Sequence, residues 1–187
     1  LVLQLQSHFL LQAGLTSSAA KAARHAARLN LGHRTIHLIP EQDSTELPEL
    51  LIIGVPKAGT TSLHTWLSRH PQLWLHPRKE LHFFDLHWQH GLDWYASQFP
   101  CFRTSSGIQR GETTPAYFHD PLVPKRVASA MPAVKLIVLL RDPLERAISW
   151  ISHLQRHNGL RGNLEALLLE ECRLLEGFAQ DGLESYN

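Results

Sequence analysis

The stretch LIIGVPKAGTTSL, Leu51–Leu63, decides the fold. With Leu50 in front, its first residues form LLIIGV (50–55), a run of leucine and β-branched side chains short enough to be a strand buried on both faces. PKAGTTS then turns the chain, and SLHTWLSRH (62–70) carries apolar residues at helical spacing up to a stop at Pro71. A strand, a glycine-bearing loop and a helix in that order make an anion-binding turn. The helix start leaves N–H groups without intrahelical partners, and Gly59 lets the backbone approach an anion with no side chain in the way. Thr60, Thr61 and Ser62 add hydroxyl donors, and Lys57 supplies a cation. The residue order excludes the nucleoside-triphosphate loop GxxxxGK[ST], whose lysine follows the second glycine. Here Lys57 comes before Gly59 and is followed by Ala58.

Outward from this stretch the rhythm repeats. VKLIVLL (134–140) predicts a second buried strand, followed by Arg141-Asp142-Pro143 and a helix, LERAISWISHLQRH (144–157), with Pro143 in its first turn. Arg141 at a strand end can pair bidentately with a phosphate, and Ser149 can donate from the next helix. DWYASQF (93–99), PLVPKRVASAM (121–131) and NLEALLLEECRLLE (163–176) predict further helices. Strand, loop and helix in alternation predict an α/β domain with a parallel sheet covered by helices, over residues 49–187. Residues 1–48 read as a lead-in and linker. Within them SSAAKAARHAARLNLGHR (17–34) is helical in composition, either an exposed lead-in or an amphipathic leader, and IPEQDSTELPE (39–49) is a proline-bounded linker.

Bulk properties exclude more than they assign. Eighteen lysines and arginines against 17 acids leave a net charge of +1, no signature of a polyanion-binding protein. Sixteen of the basic residues but only 11 of the acids precede position 161, a modest positive bias over the anion-binding part. Basic residues do not cluster with aromatics, so no nucleic-acid partner is expected. Thirteen singly scattered histidines and two cysteines, Cys101 and Cys172, give no metal-ligand spacing, and no metal is expected. The cysteines read as free thiols or as a pair formed in a secretory compartment. No apolar run is long enough to cross a membrane. The opening LVLQLQSHFLLQAGL lacks the charged start of a signal peptide, and the chain begins at Leu1, so a fragment without its targeting segment is expected.

PKAGTTSL resembles the 5′-phosphosulfate loop of sulfotransferases that use 3′-phosphoadenosine 5′-phosphosulfate (PAPS), and VLLRDPLERAISW (138–150) resembles their 3′-phosphate motif. Between them, KELHFFD (79–85) is similar to the E-x-[HQ]-F-F segment of heparan sulfate sulfotransferases. HGLDWYASQFP (90–100) is similar to the G-[IL]-D-W-Y stretch of the N-sulfotransferase branch, and GETTPAYF (111–118) to the E-K-[ST]-P-x-Y segment shared with the 3-O-sulfotransferase branch. The resemblance spans roughly residues 50–160 and implies a P-loop-like three-layer sandwich with a central parallel sheet flanked by helices.

It also implies in-line transfer of a sulfuryl group from PAPS to a hydroxyl or amine of a polysaccharide, heparan-sulfate-like or other. Lys57, Ala58, Gly59, Thr60, Thr61, Ser62, Arg141 and Ser149 would then hold the donor, with Lys57 also steadying charge on the leaving group. Glu80 would be the base that takes the acceptor proton, and His82 would orient Glu80 or touch the acceptor. Phe83 and Phe84 are expected in the core, and no metal enters the scheme. Location in the Golgi lumen behind a membrane anchor is implied by the resemblance, the anchor not being visible in this chain.

Two departures qualify the expectation. Thr113 stands where the 3-O branch has lysine, so Arg110 or Lys79 substitutes, or the acceptor chemistry differs, or activity falls. The domain is also expected to be incomplete at its C-terminus, because the family's catalytic domains run well past Asn187. The alternative reading is a non-catalytic remnant that binds PAPS or glycan; a nucleotide kinase is opposed by the position of Lys57.

Overall fold

The computed structural model describes residues 46–102, 107–157, 159, 161–169 and 173. The alanine-rich stretch 17–34, Cys172 and with it the cysteine pairing, and part of the helix expected over 163–176 lie outside them. Strand β1, Leu50–Gly54, alternates its side chains between two apolar clusters. Leu50 and Ile52 pack with Leu75, Leu63 and Leu67, while Leu51 packs with Phe83, Phe84 and Tyr95 on the other face. Both faces are dry, as the unbroken apolar run requires.

Helix α1, Thr60–Leu67, begins earlier than its apolar spacing predicts, so the threonines of the loop form its first turn. Leu63 and Leu67 turn to the sheet and Trp66 faces solvent. Two further strands were not anticipated: β2, Leu73–Leu75, and β3, Gln109–Thr113. With β4, Lys135–Val138, they complete a sheet of order β2-β3-β1-β4 in which all pairs are parallel. Leu50 is level with Gly111 on one side and Lys135 on the other. A Cβ on Gly111 would come within 2.7 Å of Leu75 Cδ2 and 2.9 Å of the Leu50 carbonyl oxygen, so β3 lies this close to its neighbours only as glycine.

Strand β4 corrects one expectation. Its sequence reads as a buried strand, yet Leu136 is 51% and Val138 40% exposed, because among the described residues β4 stands at the sheet edge and pairs with β1 alone. Helix α2, Gly91–Ala96, starts two residues before the stretch 93–99 read as helical and ends three before its end, and α3, Val123–Ala130, lies within the stretch 121–131. With short 3₁₀ turns at Trp88–His90 and Pro115–Phe118, they flank the aromatic face of the sheet, opposite α1. Phe83 stacks on Tyr95 with ring centroids 4.2 Å apart and planes 6° from parallel. Both Phe83 and Phe84 are fully buried, in the core as expected.

The described residues fall into two compact parts, 46–55 with 59–139, and 56–58 with 140 onward. The second contains α4, Pro143–His157, whose start is capped where Asp142 Oδ1 accepts the Glu145 N–H at 3.0 Å. Glu145 in the first turn and Arg156 and His157 in the last complement the helix dipole. Residues 164–169 are helical, with Asn163 Oδ1 accepting the Ala166 N–H at 2.7 Å.

In the sheet order, β1 is where the chain reverses its direction of travel: it runs to β2 and β3 on one side and later to β4 on the other. The carboxyl end of such a strand is where open parallel sheets bind ligands, and PKAGTTS leaves from it.

Candidate active site

Gly59 sits at the cap of α1 with φ 94°, and a Cβ there would meet nothing within 4 Å. The first helical bond runs from the Leu63 N–H to the Gly59 carbonyl at 3.1 Å, so the N–H groups of Thr60, Thr61 and Ser62 precede the helix's own bonding. The first turn holds no acidic residue, and Thr61 and Ser62 are exposed while Thr60 is buried. Open space, a positive helix end and unspent donors suit an oxyanion.

In the second part of the chain, Arg141 donates from Nη1 to the Lys57 carbonyl at 3.1 Å and from Nε to Glu145 Oε2 at 3.2 Å. The backbone of Lys57 and the guanidinium of Arg141, expected from the sequence resemblance at opposite ends of one nucleotide, are joined directly by this bond. Ser149 lies half-buried on α4.

The segment 79–85 is built onto the end of β3. The His76 N–H donates to the Gly111 carbonyl at 2.8 Å and the Glu80 N–H to the Thr113 carbonyl at 2.8 Å, so the segment runs alongside the strand to its carboxyl end. Backbone strain marks this segment, and separately the loop residue Lys57. Lys57 (φ 70°), Glu80 (φ 65°) and His82 (φ 54°) are the non-glycine residues with positive φ among the described residues. They are also the three named as catalytic from the sequence. Such conformations cost about 1–3 kcal/mol each and persist where the surroundings over-determine them, most often at functional sites.

Electrostatics fixes what each group can do. His82 bonds through Nδ1 to Asp85 Oδ2 at 2.7 Å, and its Nε2 lies 3.6 Å from Glu80 Oε2. Asp85 first, then Glu80, raise the His82 pKa from 6.5 to about 9, so the ring is an imidazolium at neutral pH. Glu80 is held below the usual carboxylate range, mainly by His82 and further by Lys79, whose Nζ lies 3.5 Å from Oε1. Burial pushes Asp85 upward, but the His82 and Leu86 N–H donors outweigh it and leave its pKa lowered. The result is an ionised, half-exposed carboxylate at Glu80, flanked by two cations and aimed by a charged Asp85–His82 pair. Asp85 was not singled out in the sequence; its position three residues after His82 in KELHFFD was the signal available.

Glu112 was missed too. It is fully buried and accepts three hydroxyls: Tyr95 at 2.6 Å, Tyr117 at 2.9 Å and Thr114 at 2.9 Å. The Tyr117 oxygen in turn accepts the Phe83 N–H at 2.9 Å and the Phe84 N–H at 3.3 Å. Glu112 therefore ties together the motifs GLDWY, HFF and ETTPAY, which the sequence offered as three separate matches. Burial pushes its pKa up, opposed by the three hydroxyls.

The two candidate substitutes for a lysine at position 113 part company. Arg110 is buried and ion-paired to Glu46 and Glu49, clamping the linker before β1 onto β3. Burial lowers its pKa to about 10, which leaves it charged at neutral pH but already spoken for. Thr113 is buried, with its hydroxyl 2.9 Å from His64 Nδ1. Lys79 instead reaches the loop: its Nζ donates to Thr61 Oγ1 at 2.6 Å.

An apolar cavity of about 390 Å³ lies under α3, lined by Ile53, Phe118, Val127, Met131 and Leu136, but it has no convergent polar groups to run chemistry. Among the described residues no group of three or more His, Cys, Asp or Glu side chains is placed to hold a metal ion, and no helix is long and apolar enough to cross a membrane.

Residues 47–180 match the sulfotransferase domain family. The chain is 38% identical over 138 residues to the membrane-associated sulfotransferase kil1 of Dictyostelium discoideum, a match covering 70% of this chain and 29% of that protein. It is 37% identical over 123 residues to bifunctional heparan sulfate N-deacetylase/N-sulfotransferase 3 of Homo sapiens, covering 63% of this chain and 14% of the relative. Heparan sulfate glucosamine 3-O-sulfotransferase 3A1 of Homo sapiens is 41% identical over 115 residues, with 62% and 28% covered. Among solved structures, the sulfotransferase from Alicyclobacillus acidocaldarius superposes with a TM-score of 0.53 at 29% identity, covering 70% of this chain and 60% of that one. The chain spans less than a third of the curated relatives it matches. With the parallel sheet, the anion-binding turn and the match over residues 47–180, the chain belongs to the sulfotransferase domain family.

Proposed function

We propose that this chain, with residues 49–187 as its sulfotransferase domain, moves the sulfuryl group of PAPS to a hydroxyl or amine of a polysaccharide. The observation that carries the reading is the coincidence of strain with chemistry: among the described residues, the non-glycine ones of positive φ are Lys57, Glu80 and His82. Relatives named for transfer to heparan sulfate support a glycan as the acceptor class.

In this reading Lys57, Ala58, Gly59, Thr60, Thr61 and Ser62 hold the 5′-phosphosulfate, and Arg141 and Ser149 the 3′-phosphate. The acceptor oxygen or nitrogen attacks sulfur while the bond from sulfur to the 5′-phosphate oxygen breaks. Adenosine 3′,5′-bisphosphate leaves with the electron pair. Glu80 takes the acceptor proton; because that proton becomes acidic as the new bond forms, a carboxylate of low pKa suffices. His82, charged and aimed by Asp85, orients Glu80 rather than acting as a base. Positioning and charge stabilisation carry the catalysis, and no metal is required by the scheme. We infer an anchored enzyme of the Golgi lumen, consistent with a relative named as membrane-associated.

The test is transfer of labelled sulfate from PAPS to a desulfated polysaccharide, alongside titration with adenosine 3′,5′-bisphosphate. Transfer with tight bisphosphate binding supports the reading. Thr113 favours one rival, a domain that binds without transferring, and binding with no transfer would select it. Tight binding of ATP indifferent to a 3′-phosphate would instead point to a kinase.

A further inference from the structure

The strongest unexplained feature of the first part of the chain is where Lys79 puts its ammonium. Cations are disfavoured at a helix N-terminus, where the dipole is already positive. Lys79 is nonetheless held there, 2.6 Å from the Thr61 hydroxyl in the first turn of α1, a turn with no acidic residue to offset it. Its other contact is Glu80 Oε1 at 3.5 Å, and its side chain is about three-quarters buried, so the ammonium is confined between these two groups. Two positive elements focused on one point make a place for an anion. Arg110, at the other end of β3, is consumed by Glu46 and Glu49. Thr113 offers only a hydroxyl, shared with His64, whose pKa burial and Lys79 together lower.

We propose that the Lys79 ammonium contacts the sulfuryl group during transfer, standing between the donor loop at Thr61 and the base at Glu80. The role rests on the sulfotransferase reading above and sharpens it. Thr61 belongs to the turn that holds the donor, and Glu80 receives the acceptor proton, so a cation touching both lies beside the path the sulfur travels. The sulfuryl oxygens carry negative charge throughout, and a fixed ammonium there stabilises them as the bond to the 5′-phosphate oxygen breaks and the bond to the acceptor forms. Lys79 neither gains nor loses a proton in the step.

Two measurements on the full chain test this. First, Lys79→Ala is expected to lower kcat for sulfate transfer about 100-fold, in the range for losing one charge-stabilising donor, while adenosine 3′,5′-bisphosphate binds as to the parent. Lys79→Arg is expected to recover part of the rate. Second, acetylation of Lys79 by acetic anhydride, read by mass spectrometry, is expected to be suppressed by PAPS and not by the bisphosphate, which lacks the sulfuryl group. A parent-like kcat in Lys79→Ala, or equal acetylation with either nucleotide, overturns the assignment. So does a Lys79→Ala protein that loses bisphosphate affinity along with transfer, since Lys79 would then serve donor binding generally. A parent protein that binds no bisphosphate overturns the sulfotransferase reading, and the role of Lys79 with it.

Discussion

Two glutamates on neighbouring segments, Glu80 and Glu112, show how one functional group is put to opposite uses. Glu112 is fully buried and saturated by three hydroxyls, and burial raises its pKa. Glu80 sits on strained backbone, half exposed, and its pKa is lowered by His82 and Lys79. The first environment makes a rigid hub that joins three segments and offers nothing to a substrate. The second keeps a carboxylate ionised and reachable. The hub is what allows the strain, because Tyr117 fixes the backbone of Phe83 and Phe84 immediately after His82.

The sharpest way to break this contrast is to neutralise each carboxylate in turn. Glu80→Gln is expected to lower kcat about 1,000-fold, within the span for removing a general base, with little change in unfolding temperature. Parent-like turnover would end its role as base. Glu112→Ala is expected to do the reverse in kind, destabilising the fold by about 3 kcal/mol in urea titration because three buried hydroxyls lose their acceptor. An unchanged midpoint would mean that the hub carries no weight. Tyr117→Phe is the milder probe of the link between the two regions. It costs about 1–2 kcal/mol of stability, and a fall in kcat beyond that of a simply less stable protein would show the strained segment depending on the hub.

The smallest effect expected is on pH dependence. Glu80 is ionised throughout the neutral range, so the acid limb of kcat/KM falls below the usual carboxylate range, and His82→Gln moves that limb upward. His82 itself, raised from 6.5 to about 9, contributes stability that is fully present below 6.5 and is lost as pH rises through about 9. In Asp85→Asn that alkaline loss is expected to begin at lower pH, readable in thermal unfolding as a function of pH. A pH profile identical to the parent's would remove Asp85 from the account of His82.

Much of the architecture was legible because its signals are local. The run LLIIGV and the loop PKAGTTS announce themselves by composition, and β1 and α1 follow from them with a shift of two residues at the helix start. β3 was not legible. Gln109–Thr113 lacks β-branched and aromatic residues apart from Thr113, and it forms a central strand because Arg110, Glu112 and Thr113 each find a partner distant in sequence. β4 misled in the other direction: apolar composition reports what a strand can bury, not whether it lies at an edge.

For the site, the sequence by itself determined the chemical vocabulary. Lys57 before Gly59, the hydroxyls after it, and Glu80 within KELHFFD are adjacent in the chain, and adjacency survives folding. Only the tertiary structure decided the charges. That Arg110 is committed to Glu46 and Glu49 while Lys79 reaches Thr61, and that Glu112 is a hub, depend on distances between residues up to 64 positions apart, and that His82 is a cation depends on a local backbone that turns its ring to both Asp85 and Glu80. Charge state is set by burial and by neighbours in space, and neither is written in the spacing of residues along a chain.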